Sequence, residues 1–280
     1  MIIIADAGST KTEWAVLSVD RHIELQFSTS GHNAAVAAEG SLRQLIRTEA
    51  TILISLADDI REIHYYGAGC AGEHCRKVRA ELSDLFPAAE CHVESDMLAS
   101  ARALCGHEPG IACILGTGSN SCLFDGERIV ANVSPLGFIV GDEGSGAVLG
   151  RRLIAHIFKR QFSDEVIKLF SDEYPDTDIP EIIRRVYRSE RPNAYLASFA
   201  PFLSRHIDIE EIDRFVTDEF ERFFRFNVMA YDDARRLPVN FIGSIAVSFR
   251  PQLHAAATRC NLRLGNIIRT PMPSLIAYHG

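Results

Sequence analysis

The chain has 280 residues, of which 47% are hydrophobic and 24% are charged, so it can bury the core of one large domain or two ordinary ones. A formal net charge of -8 leaves no broad positive field for sequence-independent nucleic-acid binding. No apolar run approaches the roughly 20 residues of a membrane span, and the N-terminus lacks the pattern of a cleaved leader. Seven cysteines without a CxxC pair fit neither a disulfide framework nor a zinc site. These features predict a soluble, cytoplasmic protein with a small-molecule partner.

The first part of the chain alternates predicted strands and helices, which favours a parallel α/β layer. Ser41 is the expected cap of the first helix, whose apolar residues recur at helical spacing. The predicted strands are residues 2–6, 13–17, 23–27, 63–66 and 91–94, and further helices are expected at 76–85 and from Met97 onward.

Near residue 106 the pattern of the opening repeats, with a strand at 111–115, a Gly-rich turn and a second strand at 121–124. Residues 145–237 are predicted to be mainly helical, followed by a strand at 239–242, a strand near Ile267 and a short tail. The repeat predicts two domains. The first covers residues 1–107 with about 271–280, and the second covers 108–270 with a helical insertion.

Two turns of the repeat carry residues suited to phosphate binding. The first, Asp6-Ala7-Gly8-Ser9-Thr10-Lys11-Thr12, joins a carboxylate at a strand end to small residues and hydroxyls, and the second is Gly116-Thr117-Gly118-Ser119-Asn120-Ser121. Such turns present backbone N–H groups and hydroxyls to phosphate oxygens, while a neighbouring carboxylate can hold hydrated Mg²⁺. Each turn alone could be an ordinary hairpin turn. Their equivalent places in the two repeats favour phosphate binding.

The order of the motifs DAGSTKT, GHN, ESD, LGTGSNS, GDEGS and FIGS resembles the N-acetylglucosamine kinase and BadF/BadG/BcrA/BcrD ATPase family. This family is part of the superfamily of sugar kinases, actin and heat-shock chaperones, and the match runs from Ile2 to about Ile276. The resemblance implies two duplicated ribonuclease H-like (actin-like ATPase) α/β domains with a nucleotide cleft between them. It also implies a magnesium-dependent ATP kinase acting on an amino sugar, and a homodimer. Ala7 and Ser9 stand where family members often carry glycine, and Gly243-Ser244 stands where many superfamily members have two glycines.

The resemblance also implies roles for individual residues. Asp96 would be the general base that accepts the proton of the attacking sugar hydroxyl, and Asp6 would orient Mg²⁺ through water. The nucleotide would be held by Gly8, Ser9, Thr10, Lys11, Thr12, Thr117, Gly118, Gly243 and Ser244, and the sugar by Asn33, Gly137 and Asp142.

Plainer interpretations exist for several of these residues. Asp96 and Asp142 each precede a predicted helix and could act as N-caps, and Asn33 could be a turn residue. Gly67-Ala68-Gly69-Cys70-Ala71-Gly72 is a GxGxxG sequence after a strand and before a helix, which is the dinucleotide-binding pattern. Two alternatives to a sugar kinase therefore remain: an ATP-driven activator of a partner enzyme, as in BadF-type relatives, and an NAD-binding protein.

Overall fold

A computed structural model describes all residues, 1–280. The chain divides into two compact units. Unit 1 comprises Met1–His107, Gly126–Arg128 and Thr270–Gly280, and unit 2 comprises Glu108–Asp125 and Ile129–Arg269.

Unit 1 begins with a three-stranded meander and continues with strands and helices in alternation. Its elements up to residue 105 are β1 (Ile2–Ala7), β2 (Lys11–Leu17), β3 (Ile23–Ser30), α1 (Ser41–Glu49), α2 (Thr51–Ser55), β4 (Glu62–Gly67), α3 (Glu73–Leu85), β5 (Glu90–Ser95) and α4 (Asp96–Cys105).

The sheet of unit 1 has the order β3-β2-β1-β4-β5. β1, β2 and β3 pair antiparallel, whereas β1, β4 and β5 pair parallel. β1 is apolar on both faces because both are covered: Ile3 and Ala5 pack with Trp14 in one core cluster, while Ile2 and Ile4 join another. This covered central strand places its polar end, Asp6, directly before the first Gly turn.

The N-terminus of α1 differs from the expectation. Ser41 is the first helical residue, and the N-cap is Gly40, which makes no side-chain cap. The buried carboxylate of Glu81 on α3 accepts hydrogen bonds from the N–H groups of Gly40 at 2.9 Å and Arg43 at 2.8 Å. A charged acceptor from another helix therefore satisfies these N–H groups at the start of α1. The prediction that Ser41 caps α1 is wrong.

Unit 2 repeats the meander and then inserts a series of helices. Its elements are β6 (Gly110–Leu115), β7 (Ser119–Phe124), β8 (Ile129–Val133), α5 (Gly137–Val140), α6 (Gly146–Phe158), α7 (Asp164–Glu173), α8 (Ile179–Arg188), α9 (Pro192–Ala197), α10 (Ala200–Arg205), α11 (Glu210–Phe223), a π-helix (Phe224–Val228), β9 (Val239–Ile242), α12 (Ser244–Ser248), α13 (Arg250–Arg259) and β10 (Leu264–Ile268).

The second sheet reproduces the topology of the first. Its order is β8-β7-β6-β9-β10, with β6, β7 and β8 antiparallel and β6, β9 and β10 parallel. The two phosphate-turn candidates connect the strands of equivalent hairpins, β1–β2 and β6–β7. The expected duplication is thus present in strand order and direction as well as in sequence.

The core of unit 2 is rich in phenylalanine. Phe223 and Phe224, from α11 and the π-helix, pack with Phe241 of β9, Phe220 of α11 packs with Phe249, and all are fully buried or nearly so. The helical stripe of α11 is therefore core packing, because aromatic side chains fill the space above the sheet.

The chain ends with a helix, α14 (Met272–His279), where the sequence predicted only a short tail. Met272 and Leu275 are fully buried beside Ile4 and Tyr66 of unit 1. Packing stabilises this short segment, since an isolated helix of its length is marginal in water. No helix of the structure is both long enough and apolar enough to cross a membrane.

Candidate functional site

The first phosphate-turn candidate is a tight connection closed by backbone contacts. The N–H of Gly8 donates to the carbonyl of Lys11 at 2.9 Å, and the N–H of His32 donates to the carbonyl of Gly8 at 3.0 Å. Gly31, directly after β3, approaches so closely that a Cβ there would lie 2.4 Å from the nitrogen of Thr10. Only glycine fits at position 31, and its backbone holds the turn from one side.

The side chains of this turn have different surroundings. Ser9 and Thr10 are exposed, and Lys11 is exposed while its ammonium pairs with Glu13 at 2.6 Å. Thr12 is fully buried, and its hydroxyl has no hydrogen-bond partner. Ser9, Thr10 and Lys11 are therefore accessible to a ligand, whereas Thr12 faces the core.

A group of carboxylates lies at the strand ends of unit 1. Burial raises the pKa of Asp6 to about 7; the charges of Glu13 and Asp96 act in the same direction, and Lys11 opposes them. Glu13 is the direct cross-strand neighbour of Asp6. Negative charge is thus concentrated beside the first turn, where a divalent cation would favour the ionised carboxylate.

Asp96 is the first residue of α4, directly after β5. The N-cap is Ser95, whose hydroxyl accepts a hydrogen bond from the N–H of Leu98 at 3.2 Å. The interpretation of Asp96 as the cap is therefore wrong. Burial raises the pKa of Asp96, and hydrogen bonds from the backbone at Met97 and at Asp96 itself partly offset this effect.

The GxGxxG sequence forms the connection from β4 to α3, and it packs against the segment that carries Asn33. A Cβ on Gly69, whose φ is +72°, would lie 2.4 Å from Oδ1 of Asn33 and 2.7 Å from the nitrogen of Ala35. β5, the next parallel strand, is the edge of a sheet whose other half is antiparallel. This is not the parallel sheet of a dinucleotide-binding domain, so the glycines here allow close packing of two loops.

The second phosphate-turn candidate is held by the first turn of α6. The N–H of Gly146 donates to the carbonyl of Gly116 at 2.8 Å, and the N–H of Ala147 donates to that of Thr117 at 3.0 Å. Within the turn, the N–H of Gly116 bonds to the carbonyl of Gly118 at 3.0 Å. Two otherwise unpaired N–H groups of the helix therefore fix the turn through its carbonyls.

Asp142 lies beside this turn. Its Oδ2 would be 3.0 Å from a Cβ on Gly118, and its carboxylate accepts a hydrogen bond from the backbone of Ser119. Burial raises the pKa of Asp142, and the Ser119 bond lowers it in part. α6 is capped by Ser145, which accepts from the N–H of Val148 at 3.2 Å, so Asp142 is not the cap. Gly137 begins α5 with a φ of +77°.

Unit 2 contains a pocket of about 340 Å³ that brings Thr117 and Ser244 together. Gly243 precedes Ser244 with a φ of +125°, and a Cβ on it would lie 2.2 Å from the carbonyl oxygen of Leu115. Position 243 therefore requires glycine, and the adjacent Ser244 lines the pocket. The other lining residues are Gly116, Gly146, Ala197, Ala200, Pro201, Ser204, Arg205, Ile245, Ser248 and Phe249.

Sequence reasoning missed the walls of this pocket formed by α9 and α10. Ala197, Ala200 and Pro201 are small or apolar, and no local pattern distinguishes them from other residues of the helical insertion. Arg205 donates to Glu173 and to the hydroxyl of Tyr174, so its guanidinium has a fixed position at the pocket. An apolar pocket with a few polar groups is suited to an aromatic base.

Comparison with solved structures identifies similar proteins over the whole chain. A putative N-acetylglucosamine kinase from Porphyromonas gingivalis is 43% identical, with a TM-score of 0.92 and coverage of 100% of this chain and 98% of that one. A putative N-acetylglucosamine kinase from Chromobacterium violaceum is 17% identical, with a TM-score of 0.72 and coverage of 100% and 98%. A ROK family glucokinase from Streptomyces griseus, in complex with glucose and AMPPNP, is 13% identical, with a TM-score of 0.54 and coverage of 99% and 97%.

No protein-family model matches the chain, and no curated protein matches it. The two more distant structures show the fold alone, and they confirm the predicted α/β, actin-like class. The first structure is similar enough in sequence to show the family. The chain belongs to the N-acetylglucosamine kinase-like family of the superfamily that comprises sugar kinases, actin and heat-shock chaperones.

Proposed function

We propose that this protein is an ATP-dependent kinase that phosphorylates a hydroxyl of an amino sugar, with N-acetylglucosamine or a close relative as its substrate. The observation that carries the proposal is the 43% identity, over the full chain, to a structure described as a putative N-acetylglucosamine kinase. The ATP analogue bound by the glucokinase of the same fold supports ATP as the phosphate donor.

The nucleotide base is assigned to the pocket of unit 2, next to Gly243 and Ser244. Apolar atoms of Ala200, Pro201 and Ile245 offer the flat contacts that a purine requires. The carbonyls of residues 116 and 117 accept hydrogen bonds from α6, which fixes the conformation of the turn. In this conformation Thr117 and Gly118 would bind phosphate oxygens.

The first turn supplies further phosphate ligands in this proposal. Gly8, Ser9, Thr10 and Lys11 present small, hydroxyl and ammonium groups, three of them exposed. Thr12 also belongs to the proposed set, although its hydroxyl is buried and has no hydrogen-bond partner in the protein.

Mg²⁺ fits the carboxylate chemistry of unit 1. Asp6 is a partly buried carboxylate whose pKa is raised, and the charges of Glu13 and Asp96 contribute to the rise while that of Lys11 opposes it. Asp6 would hold the ion through water, in keeping with the preference of Mg²⁺ for few protein ligands and several waters. When bound, the ion would neutralise charge on the transferred phosphoryl group.

Asp96 is assigned the role of general base. A carboxylate whose pKa is raised by burial is a better proton acceptor than an exposed aspartate. The attacking sugar hydroxyl would donate its proton to Asp96 as its oxygen bonds to the γ-phosphorus and ADP leaves. Asn33, Gly137 and Asp142 are proposed to position the sugar.

The resemblance also implied a homodimer, which we assign to the apolar face of α8. Ile179, Ile183 and Tyr187 recur every four residues and are 57%, 52% and 80% exposed. Two copies of such a helix can pack face to face about a two-fold axis.

Light scattering after size exclusion tests this interface. Ile183→Glu should halve the mass, whereas Val19→Glu, at an exposed apolar position of unit 1, should not. A monomeric parent protein refutes the assignment.

The kinase proposal is tested by measuring ADP release with ATP, Mg²⁺ and each of N-acetylglucosamine, glucosamine, glucose and a muramic-type sugar. We expect release with at least one amino sugar and a phosphorylated product by mass spectrometry. No release above the sugar-free blank with any sugar would overturn the proposal and favour a BadF-type activator. NAD(H) released from pure protein that has no affinity for ATP would favour the dinucleotide alternative.

A further inference from the structure

Two of the proposed sugar ligands already have partners at the phosphate turns. In unit 1, Nδ2 of Asn33 donates to Oγ of Ser9 at 2.9 Å, and Oδ1 of Asn33 accepts from the N–H of Ala35 at 3.1 Å. Both ends of the amide are therefore used within the unit. The amide nitrogen of Asn33 therefore contacts the exposed hydroxyl of Ser9 in the first turn.

Unit 2 contains an equivalent arrangement. The carboxylate of Asp142 accepts from the backbone of Ser119, and its Oδ2 packs against the Cα of Gly118, where a Cβ would come to 3.0 Å. Asp142 thus lies against the second turn at Gly118.

The backbone of Asp142 is fixed independently of its carboxylate. Its N–H donates to the carbonyl of Pro135 at 2.9 Å, and its own carbonyl accepts from the N–H of Ser145 at 3.1 Å. Its φ is +54°, a left-handed conformation that aspartate tolerates better than most residues do. The segment from Pro135 to Ser145 therefore delivers the carboxylate to the turn at a defined place.

We propose that Asn33 and Asp142 are positioning residues for the two phosphate turns, each bracing the turn of its own unit in the conformation that binds nucleotide. This inference rests on the proposed function. It gives the two side chains a role that does not require sugar to be present, in addition to the sugar contact assigned to them. Each of the two duplicated units would thus have one positioning residue at its phosphate turn.

The two roles have different kinetic consequences. A residue that only contacts sugar changes the KM for sugar and leaves nucleotide affinity in the absence of sugar unchanged. A brace keeps the turn ordered before nucleotide arrives, so its removal weakens nucleotide binding even without sugar. Loss of a hydrogen bond to a charged acceptor corresponds to about a tenfold to hundredfold loss of affinity when binding must restore the turn.

The test is calorimetric titration of the full-length protein with Mg·ADP in the absence of sugar. Asp142→Gly removes the carboxylate and keeps the left-handed backbone unstrained. We expect it to weaken ADP binding by at least about tenfold. Asp142→Asn retains an oxygen that can accept from Ser119, so it should bind ADP within about threefold of the parent.

Asn33→Ala tests the first turn in the same assay, and it should weaken ADP binding while thermal denaturation confirms a folded protein. Parent-like ADP affinity for both Asp142→Gly and Asn33→Ala, with a raised KM for sugar, would overturn the bracing role and leave only sugar contact. If Asp142→Gly does not fold, Asn33→Ala alone decides, and parent-like ADP affinity there with a raised KM for sugar would overturn the bracing role. A parent protein that binds no ADP would instead refute the proposed function.

Discussion

Replacing Asp96 with asparagine separates catalysis from folding at the start of α4. Because Ser95 supplies the cap, the substitution leaves the hydrogen bond from the N–H of Leu98 intact. Loss of a negative charge from the first helical turn costs about 0.3–1 kcal/mol, but burial of that charge is itself unfavourable, as the raised pKa of Asp96 indicates. The two effects oppose each other, so we expect the free energy of unfolding to change by less than about 1 kcal/mol.

The effect on turnover should be much larger. Asparagine cannot accept the proton of a sugar hydroxyl, and loss of a general base lowers kcat by about 10²–10⁴. That factor corresponds to about 3–5 kcal/mol in the activation barrier. Part of it reflects alignment, because phosphoryl transfer depends on positioning and charge more than on early proton removal. In the parent, activity should fall as pH drops through the raised pKa of Asp96, at higher pH than for an exposed aspartate.

The assay combines ADP release with calorimetric binding of ADP and urea denaturation of each variant. Ser95→Ala is the matched control, since it removes the cap and keeps the base. It should lose about 0.5–2 kcal/mol of stability with kcat largely retained. A folded Asp96→Asn protein that phosphorylates sugar at the parent rate would refute the assignment of Asp96 as the base.

Three further predictions address the turns and the C-terminal helix. Gly243→Ala places a Cβ 2.2 Å from the carbonyl oxygen of Leu115 at a φ of +125°, so the free energy of unfolding should fall by about 2–4 kcal/mol in urea titration, and parent-like stability would contradict the close approach. Gly8→Val adds a branched side chain at the first phosphate turn, so ADP affinity should fall more than melting temperature, and equal affinity would remove this turn from the nucleotide site. Burial above all lowers the pKa of His279 to about 3, so the unfolded chain, with a pKa near 6.5, binds the proton more tightly. The contribution of His279 to the free energy of unfolding is therefore fully present above about pH 6.5 and is lost as pH falls toward 3. His279→Gln, which can keep the bond to the hydroxyl of Tyr66, should reduce the drop in urea midpoint from pH 7.5 to pH 5; an unchanged drop would assign the acid sensitivity elsewhere.

The sequence predicted the meanders and their turns well because their signals are local. Small and hydroxyl residues separate two apolar runs in both repeats, and those runs become β1–β2 and β6–β7. The fold class followed from the repeat and from motif order, and the comparisons confirm it. The domain boundaries and the roles of the site residues stay predictions.

The errors have a common physical origin in contacts distant in the chain. Glu81 lies 41 residues from Gly40 and satisfies the start of α1, which no local capping pattern could indicate. α14 forms because Met272 and Leu275 are buried in unit 1, a condition set by tertiary packing. The walls of the pocket proposed to bind the nucleotide likewise come from helices whose sequence has no phosphate signature.

Asn33 and Asp142 show most directly what a sequence motif cannot predict about the role of a side chain. A motif specifies which polar residue stands at a position, and in both GHN and GDEGS that residue type suits a sugar hydroxyl. The direction of its side chain depends on backbone conformation and on the loop that comes to lie beside it. For Asp142 these are a left-handed φ and the turn at Gly118; for Asn33 they are Ser9 and the close approach of Gly69. Since a brace and a sugar ligand call for the same side chains, the composition of the motif alone cannot distinguish them, and only nucleotide affinity measured without sugar does.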